Sequence, residues 1–252
     1  MELAGLHYHH PAYDPDYYRL YTKAGEEQWS IGSVAWDQLG DLDADWRQGM
    51  LNLLSPLLVS ERGAMQACGT MIPACRAAGH HDAELVMHAM MLDEARHWEG
   101  LNRFFVETRG EPIAISEYKE MLGIQLLIMR GASFDQWLWA IQICDIIAGN
   151  LYNAFKASCD SRPIVDLFAG FRRHEARHHK FCPLYFERQV QTFTDEQKQR
   201  YREHGRRLVG KFEKIILGRM RDDLVRIGAD PQKMAQKISV TVERQADQYG
   251  LA

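Results

Sequence analysis

The segment DEARH at residues 93–97 recurs 81 positions later as HEARH at residues 174–178. Each copy contains Glu-x-x-His, and residues three apart lie on the same face of an α-helix. A carboxylate and an imidazole together form a mixed oxygen and nitrogen ligand set that suits iron or manganese. The repeat therefore predicts two helices that each present one ligand pair. These pairs are Glu94 with His97 and Glu175 with His178.

Two further carboxylates complete the pattern. A four-helix bundle that holds two metal ions takes Glu-x-x-His from two helices and one carboxylate from each of the other two. Glu61 is the only acid in LLSPLLVSERGAM, and Asp145 is the only acid in WLWAIQICDIIAGNL. They precede Glu94 and Glu175 by 33 and 30 residues, as expected for one antiparallel helix pair in each half. Because an unpaired buried carboxylate is costly and metal coordination removes that cost, we predict all six residues as metal ligands.

Two other interpretations of these residues stay open at this point. The motif residues could lie on a solvent-exposed helix face, with Arg96 and Arg177 as salt-bridge partners. Asp145 could hydrogen-bond a neighbouring helix instead of a metal, since Gln142 lies one turn before it.

Helical spacing of apolar residues dominates the chain, and strand-like alternation is hard to find. Long helices with short connections favour an all-α bundle with additional C-terminal helices. We expect residues 1–40, which are aromatic and irregular, to form a leader packed on the core, and residues 41–252 to form one domain. The predicted helical regions are 42–79, 81–108, 116–158 with a break near 130, a region from 160 that Pro183 kinks or ends, 194–227, and a short last helix beginning at ADPQKMAQKI.

Composition excludes several classes of function. The net charge of −4 argues against nucleic acid as a partner. No stretch reaches the roughly 18 apolar residues that a membrane span requires, and the N-terminus lacks the pattern of a signal peptide. Five cysteines without a CxxC motif suit reduced thiols, so we expect a cytoplasmic protein.

These residues resemble the ferritin-like non-haem di-iron carboxylate superfamily. More narrowly, they look like the branch that contains ribonucleotide reductase small subunits, bacterial monooxygenase hydroxylases and arylamine N-oxygenases. The resemblance covers roughly residues 25–190, and DEARH matches the first D-E-x-R-H motif of that branch closely. It implies a ferritin-like four-helix bundle with two Fe ions, or a Mn/Fe pair, and O₂ as co-substrate.

The resemblance also implies residues that orient the ligand histidines by hydrogen bonds. Asp93, Arg96 and Arg177 occupy the matching positions. His174 departs from the pattern, since the family usually has Asp there. It could hydrogen-bond as a neutral imidazole or face outward.

One departure disfavours a stored tyrosyl radical. In reductase subunits a tyrosine usually follows the first motif glutamate by two turns, where this chain has Leu101. The nearest downstream tyrosine, Tyr118, lies beyond the predicted helix end.

The predicted function is therefore an O₂-activating di-iron oxygenase or oxidase. It would act on a small organic substrate by C–H hydroxylation, N-oxygenation or oxidative cleavage. We expect a reductase or ferredoxin as electron donor, and a homodimer. The alternatives are a ferritin-like protein that handles iron or scavenges peroxide, and a radical-generating subunit.

Overall fold

Long α-helices form the structure, a computed structural model that describes residues 14–114, 118–129 and 133–251. These residues contain no β-strand, so the all-α prediction is confirmed. The helices are α1 (Pro15–Glu26), α2 (Ala44–Ala77), α3 (His81–Glu107), α4 (Lys119–Met129), α5 (Phe134–Ala157), α6 (Arg162–Gln189), α7 (Asp195–Leu217), α8 (Arg221–Arg226) and α9 (Pro231–Gln248).

Four of these helices form the bundle. Helix α2 packs along α3 and α5 packs along α6, and the two pairs meet where α3 contacts α6 and α2 contacts α5. The connections within each pair are only a few residues long, so the paired helices run antiparallel. The segment that contains α4 crosses from the end of α3 to the start of α5. This arrangement confirms the predicted ferritin-like bundle and directs one face of each helix toward a shared centre.

Polar side chains define where the bundle helices begin. The Asp43 carboxylate accepts a hydrogen bond from the backbone N–H of Trp46 at the start of α2. The Ser133 hydroxyl accepts one from the N–H of Gln136 at the start of α5. Such caps satisfy N–H groups that have no partner within the helix.

Helix α2 continues through Pro56, whose missing N–H leaves the Asn52 carbonyl without its usual helical partner. The Tyr118 hydroxyl donates to this carbonyl at 2.8 Å. One residue before the proline, the Ser55 hydroxyl accepts from the Ile113 N–H at 2.9 Å. Both contacts come from the crossing segment, which is thereby fixed against the first bundle helix.

The N-terminal part packs on the bundle. Helix α1 contacts α3 and α6, and the Trp29 ring lies against Gly170 of α6, where an added Cβ would clash with the indole. Residues 1–13, including the histidines of HYHH, lie outside the described residues. The division into a leader and one domain stays a prediction.

Three details differ from the sequence prediction. Helix α6 does not end at Pro183 but continues to Gln189. The region 194–227 forms two helices because α7 ends before Gly218. The last helix, α9, is 18 residues long rather than short, since its buried face packs on α5 and α7.

Within the described ranges, no helix combines the length and apolar character that crossing a membrane would need. All five cysteines carry free thiols, in agreement with the prediction of reduced cysteines.

We expect Tyr118→Phe to destabilise the fold by about 0.5–1.5 kcal/mol, because it leaves the Asn52 carbonyl in a half-buried place without its donor. Guanidinium unfolding followed by circular dichroism would measure this change. Tyr21→Phe is the matched control, since Tyr21 is 39% exposed and its hydroxyl can bond water. Equal unfolding midpoints for the two variants would show that the hydrogen bond at Pro56 does not stabilise the fold.

Candidate metal centre

All six residues predicted as metal ligands are buried in the centre of the bundle, where their helices face one another. The interpretation of the motif residues as a solvent-exposed face is therefore wrong. The placements are Glu61 on α2, Glu94 and His97 on α3, Asp145 on α5, and Glu175 and His178 on α6.

Their ligand atoms form two groups, each with all of its atoms within 4.8 Å of one another. We name them the His97 position and the His178 position. Glu94 belongs to both groups, so it lies between them. The His97 position consists of Glu61, Glu94 and His97, and the His178 position consists of Glu94, Asp145, Glu175 and His178.

The same ring nitrogen of each histidine faces the carboxylates. His97 Nδ1 lies 3.3 Å from Glu61 Oε2 and 3.4 Å from Glu94 Oε2. His178 Nδ1 lies 3.4 Å from the other oxygen of Glu94, Oε1. Glu94 thus directs one oxygen toward each histidine, which is the geometry of a bridging carboxylate.

Asp145 and Glu175 close the cluster from the other helix pair. Their carboxylates lie 3.8 Å and 3.9 Å from His178 Nδ1. Glu175 also approaches His97 Nδ1 at 3.7 Å, so it reaches toward both positions.

The cluster concentrates acidic groups where water is excluded. Burial, reinforced by the neighbouring carboxylates, raises the pKa of Glu94 and Glu175 well above the ordinary value. Burial, together with the charge of Glu61, raises the pKa of Asp145 to about 6, although the nearby histidines oppose this. Burial would also raise the pKa of Glu61, but the hydrogen bond to His97 holds it below its usual range. Positive charge at the centre would relieve this repulsion.

Several ligand atoms also lack a protein partner. His178 Nδ1, Asp145 Oδ2 and Glu175 Oε2 are buried and make no hydrogen bond to any residue that the structure describes. Buried polar atoms without partners cost about 1–3 kcal/mol each. Four carboxylates and two imidazoles fit two ions of the iron or manganese type, so the cluster is able to hold two metal ions.

Asp93 connects the far side of the cluster to two arginines. Its carboxylate accepts a hydrogen bond from Arg177 Nη2 at 2.7 Å, and Arg96 Nη1 lies 3.5 Å away. The same carboxylate lies 3.3 Å from His178 Nε2, the nitrogen that faces away from the cluster. Burial alone would raise the pKa of Asp93, but His178, His174 and Arg177 hold it well below its ordinary value. Asp93 therefore stays ionised beside His178.

His174 is fully buried, so the outward-facing interpretation is wrong. Its ring stacks on that of His97, with centroids 5.3 Å apart and an angle of 18° between the planes. Trp29 contacts the ring from the other direction. Burial lowers the pKa of His174 to about 3, which leaves the imidazole neutral at physiological pH. His174 Nδ1 lies 3.5 Å from Asp93 Oδ1 but forms no hydrogen bond.

Tyr152 is a residue of the site that sequence reasoning missed. Its hydroxyl donates to Glu61 Oε1, and its ring meets that of His97 edge to face. It follows Asp145 by seven residues, two turns along the same helix face. Helix α3 has Leu101 two turns after Glu94 and so supplies no tyrosine there, but α5 supplies Tyr152 from across the bundle.

His179 lies outside the cluster, as its different helix face predicts. Its Nδ1 is 3.1 Å from Gln142 Nε2.

A cavity of about 160 Å³ adjoins the cluster. Four of the six predicted ligands border it, and its other walls come from α2, α4, α5 and α7. For scale, an apolar cavity of about 150 Å³ can hold a benzene molecule. Most of the wall is aliphatic, as illustrated by Leu57, Ala64, Ile124, Ala148 and Ile215.

No protein-family model matches the sequence, and no curated protein matches it either. Solved structures do match the fold. One is a variant of an R2-like ligand-binding oxidase with an anaerobically reconstituted Mn/Fe cofactor. It is 17% identical, with 96% of this chain and 94% of that chain covered and a TM-score of 0.71.

A second match is an R2-like ligand-binding oxidase with an aerobically reconstituted metal cofactor after photoconversion. It is 17% identical, with 98% of this chain and 93% of that chain covered and a TM-score of 0.66. At this identity the likeness concerns the backbone arrangement. The chain therefore has the ferritin-like helical fold that the R2-like ligand-binding oxidases also have.

Proposed function

We propose that the protein is an oxidoreductase that binds two Fe ions, or one Mn and one Fe ion, and uses O₂ to oxidise a small apolar molecule. The observation that carries this proposal is the six-residue cluster, with Glu94 between two histidines, at the end of an apolar cavity. The Mn/Fe cofactor of a similar solved structure supports the mixed pair, and the ligand types suit iron and manganese alike. Electron supply by a reductase or ferredoxin, a homodimer and a cytoplasmic location stay predictions.

When bound, the metal ions would react with O₂ and supply the electrons that reduce it. The protein supplies ligands, orientation and a dry pocket. The two helix pairs bring the six side chains together. Tyr152 fixes one oxygen of Glu61 and so limits how this carboxylate can turn.

The cavity suggests the substrate class. No Lys, Arg or His is among its described lining residues, and its few polar side chains away from the cluster include Ser60 and Gln66. Away from the cluster, a buried anionic group would lack a counter-charge, which is costly. We therefore propose a substrate whose part within the aliphatic cavity is uncharged and largely apolar, and which is oxidised at the part that lies against Glu61 and Asp145. Whether the outcome is hydroxylation, N-oxygenation or oxidative cleavage depends on that substrate.

The cavity also favours an oxidase or oxygenase over an iron-handling protein. A route for iron is expected to carry acidic groups along its length, because they attract cations. Here the acids are confined to the cluster, and the walls next to them are aliphatic.

We expect the metal-free protein to bind about two Fe²⁺ ions per chain under anaerobic conditions and then to consume O₂ with a transient visible absorbance. Glu94→Gln should reduce the bound iron to about one ion or fewer, because Glu94 faces both histidines. Glu99→Gln, an exposed site on the same helix, is the control and should bind like the wild type. Full iron loading without any absorbance on mixing with O₂ would contradict the proposed reaction.

We expect the cavity to bind a small apolar probe, with xenon detected by ¹²⁹Xe NMR. Ala148→Phe should abolish this binding, because the ring fills the space, while the bound iron stays unchanged. Ala176→Phe places the same side chain on the exposed face of α6 and should preserve xenon binding. Xenon binding that persists unchanged in Ala148→Phe would refute the cavity as the substrate site.

We expect the metal-free protein to lose stability as the pH rises above the ordinary pKa of a glutamate, from about 5 to about 7. Glu94 and Glu175 have pKa values raised well above the ordinary value, so they stay protonated in the fold but ionise in the unfolded chain. Each such group lowers the free energy of unfolding by about 1.4 kcal/mol per pH unit, until the pH reaches the pKa of that group in the folded protein.

Bound metal would keep both carboxylates ionised and remove this dependence. Guanidinium unfolding at both pH values, with and without Mn²⁺, would measure the difference. If the metal-free protein kept or gained stability over this pH range, the pKa values of Glu94 and Glu175 would not be raised in the fold.

A further inference from the structure

The two halves of the cluster are chemically unequal, a difference that matters if the proposed metal binding is correct. Glu94 and Glu175 reach toward both histidines, so each position adds only one carboxylate of its own, Asp145 or Glu61. These two carboxylates have different surroundings. Asp145 Oδ2 makes no hydrogen bond within the described part of the chain, whereas Glu61 accepts one from Tyr152.

The histidines are also supported differently. His178 Nε2 lies 3.3 Å from the Asp93 carboxylate, which accepts the Nε2 proton and leaves the Nδ1 lone pair toward the cluster. A carboxylate in this place makes the imidazole a stronger donor to a metal. Arg177 holds Asp93 in position by a hydrogen bond of 2.7 Å.

His97 has no such support. Its Nε2 is buried and makes no hydrogen bond within the described part of the chain. The neighbouring ring of His174 stacks on it face to face, with centroids 5.3 Å apart, and so offers neither a charge nor an acceptor in the ring plane. Without an acceptor on Nε2, neither the tautomer nor the basicity of His97 is set as it is in His178.

Tyr152 causes the difference at Glu61. Its hydroxyl donates to Oε1 of this carboxylate, so one of the two oxygens already shares a proton donor. Glu61 is the one ligand that belongs to the His97 position alone besides His97 itself.

We infer that the two metal positions fill in order, the His178 position first and the His97 position second, and that His174 keeps the second position weak. His174 is a positioning residue here: it packs on the ring of His97 and provides no carboxylate to it. This inference rests on the proposed di-metal function and specifies which residues make its two halves different.

The test is an anaerobic titration of the metal-free full-length protein with Co²⁺, followed by visible absorbance and calorimetry. The wild type should bind in two steps that differ in affinity by at least about tenfold, the scale of a lost outer hydrogen-bond partner. His174→Asp places a carboxylate beside His97 and should tighten the second step about tenfold while leaving the first unchanged. Asp93→Asn should weaken the first step.

His174→Asn is the matched control, because it has the size of the Asp variant without its charge. It should leave the second step as weak as in the wild type. Circular dichroism and unfolding midpoints would verify that each variant is folded, and the absorbance bands of Co²⁺ report the ligands of each step.

The possible outcomes separate the two proposals. Binding of two Co²⁺ ions in one indistinguishable step, or an equal effect of the Asp and Asn variants on the second step, would overturn the inference and leave the di-metal proposal intact. No Co²⁺ binding by the folded wild type would overturn both.

Discussion

The structure depends on one electrostatic constraint: four carboxylates lie together at the centre of a helical bundle where water cannot solvate them. Burial makes each charge costly, and proximity makes each further charge more costly. The two histidines offset only part of this electrostatic cost. Their ring nitrogens lie closer to Glu61 and Glu94 than to Glu175. Two bound cations would balance four negative charges. The same arrangement that destabilises the metal-free fold would therefore bind metal ions strongly.

A layer of contacts outside the cluster links it to the N-terminal segment. Gln28 accepts a hydrogen bond from Arg96, and Trp29 packs against His174 and Gly170. Arg96 and His174 both lie beside Asp93. The segment after α1 thus covers the groups that hold the ligand histidines, and it closes that end of the bundle against water.

The six candidate ligands were predictable from the sequence because helix geometry and the bundle pattern relate them. Glu94 and His97 share a face by their spacing, and Glu61 and Asp145 are conspicuous as lone acids on apolar helices. Features that depend on contacts between distant segments were not predictable in this way. Tyr152 is near Glu61 only because α5 packs on α2. Likewise, the Asn52 carbonyl that Pro56 leaves without a helical partner in α2 is bonded by Tyr118, which lies far along the chain. The stacking of His174 likewise requires the positions of both α3 and α6.

Low identity to structures of the same fold has a physical explanation in these contacts. An apolar bundle core tolerates many substitutions that conserve volume, whereas buried charges tolerate few because each requires its partners. Asp93 illustrates the second case, since removing it would leave Arg177 and His178 without their shared acceptor. His174 stands where the family that the motifs resemble usually has Asp, and its ring stacks on His97. If the inferred order of filling is correct, such a difference preserves the fold and weakens the binding of a metal ion at one half of the site.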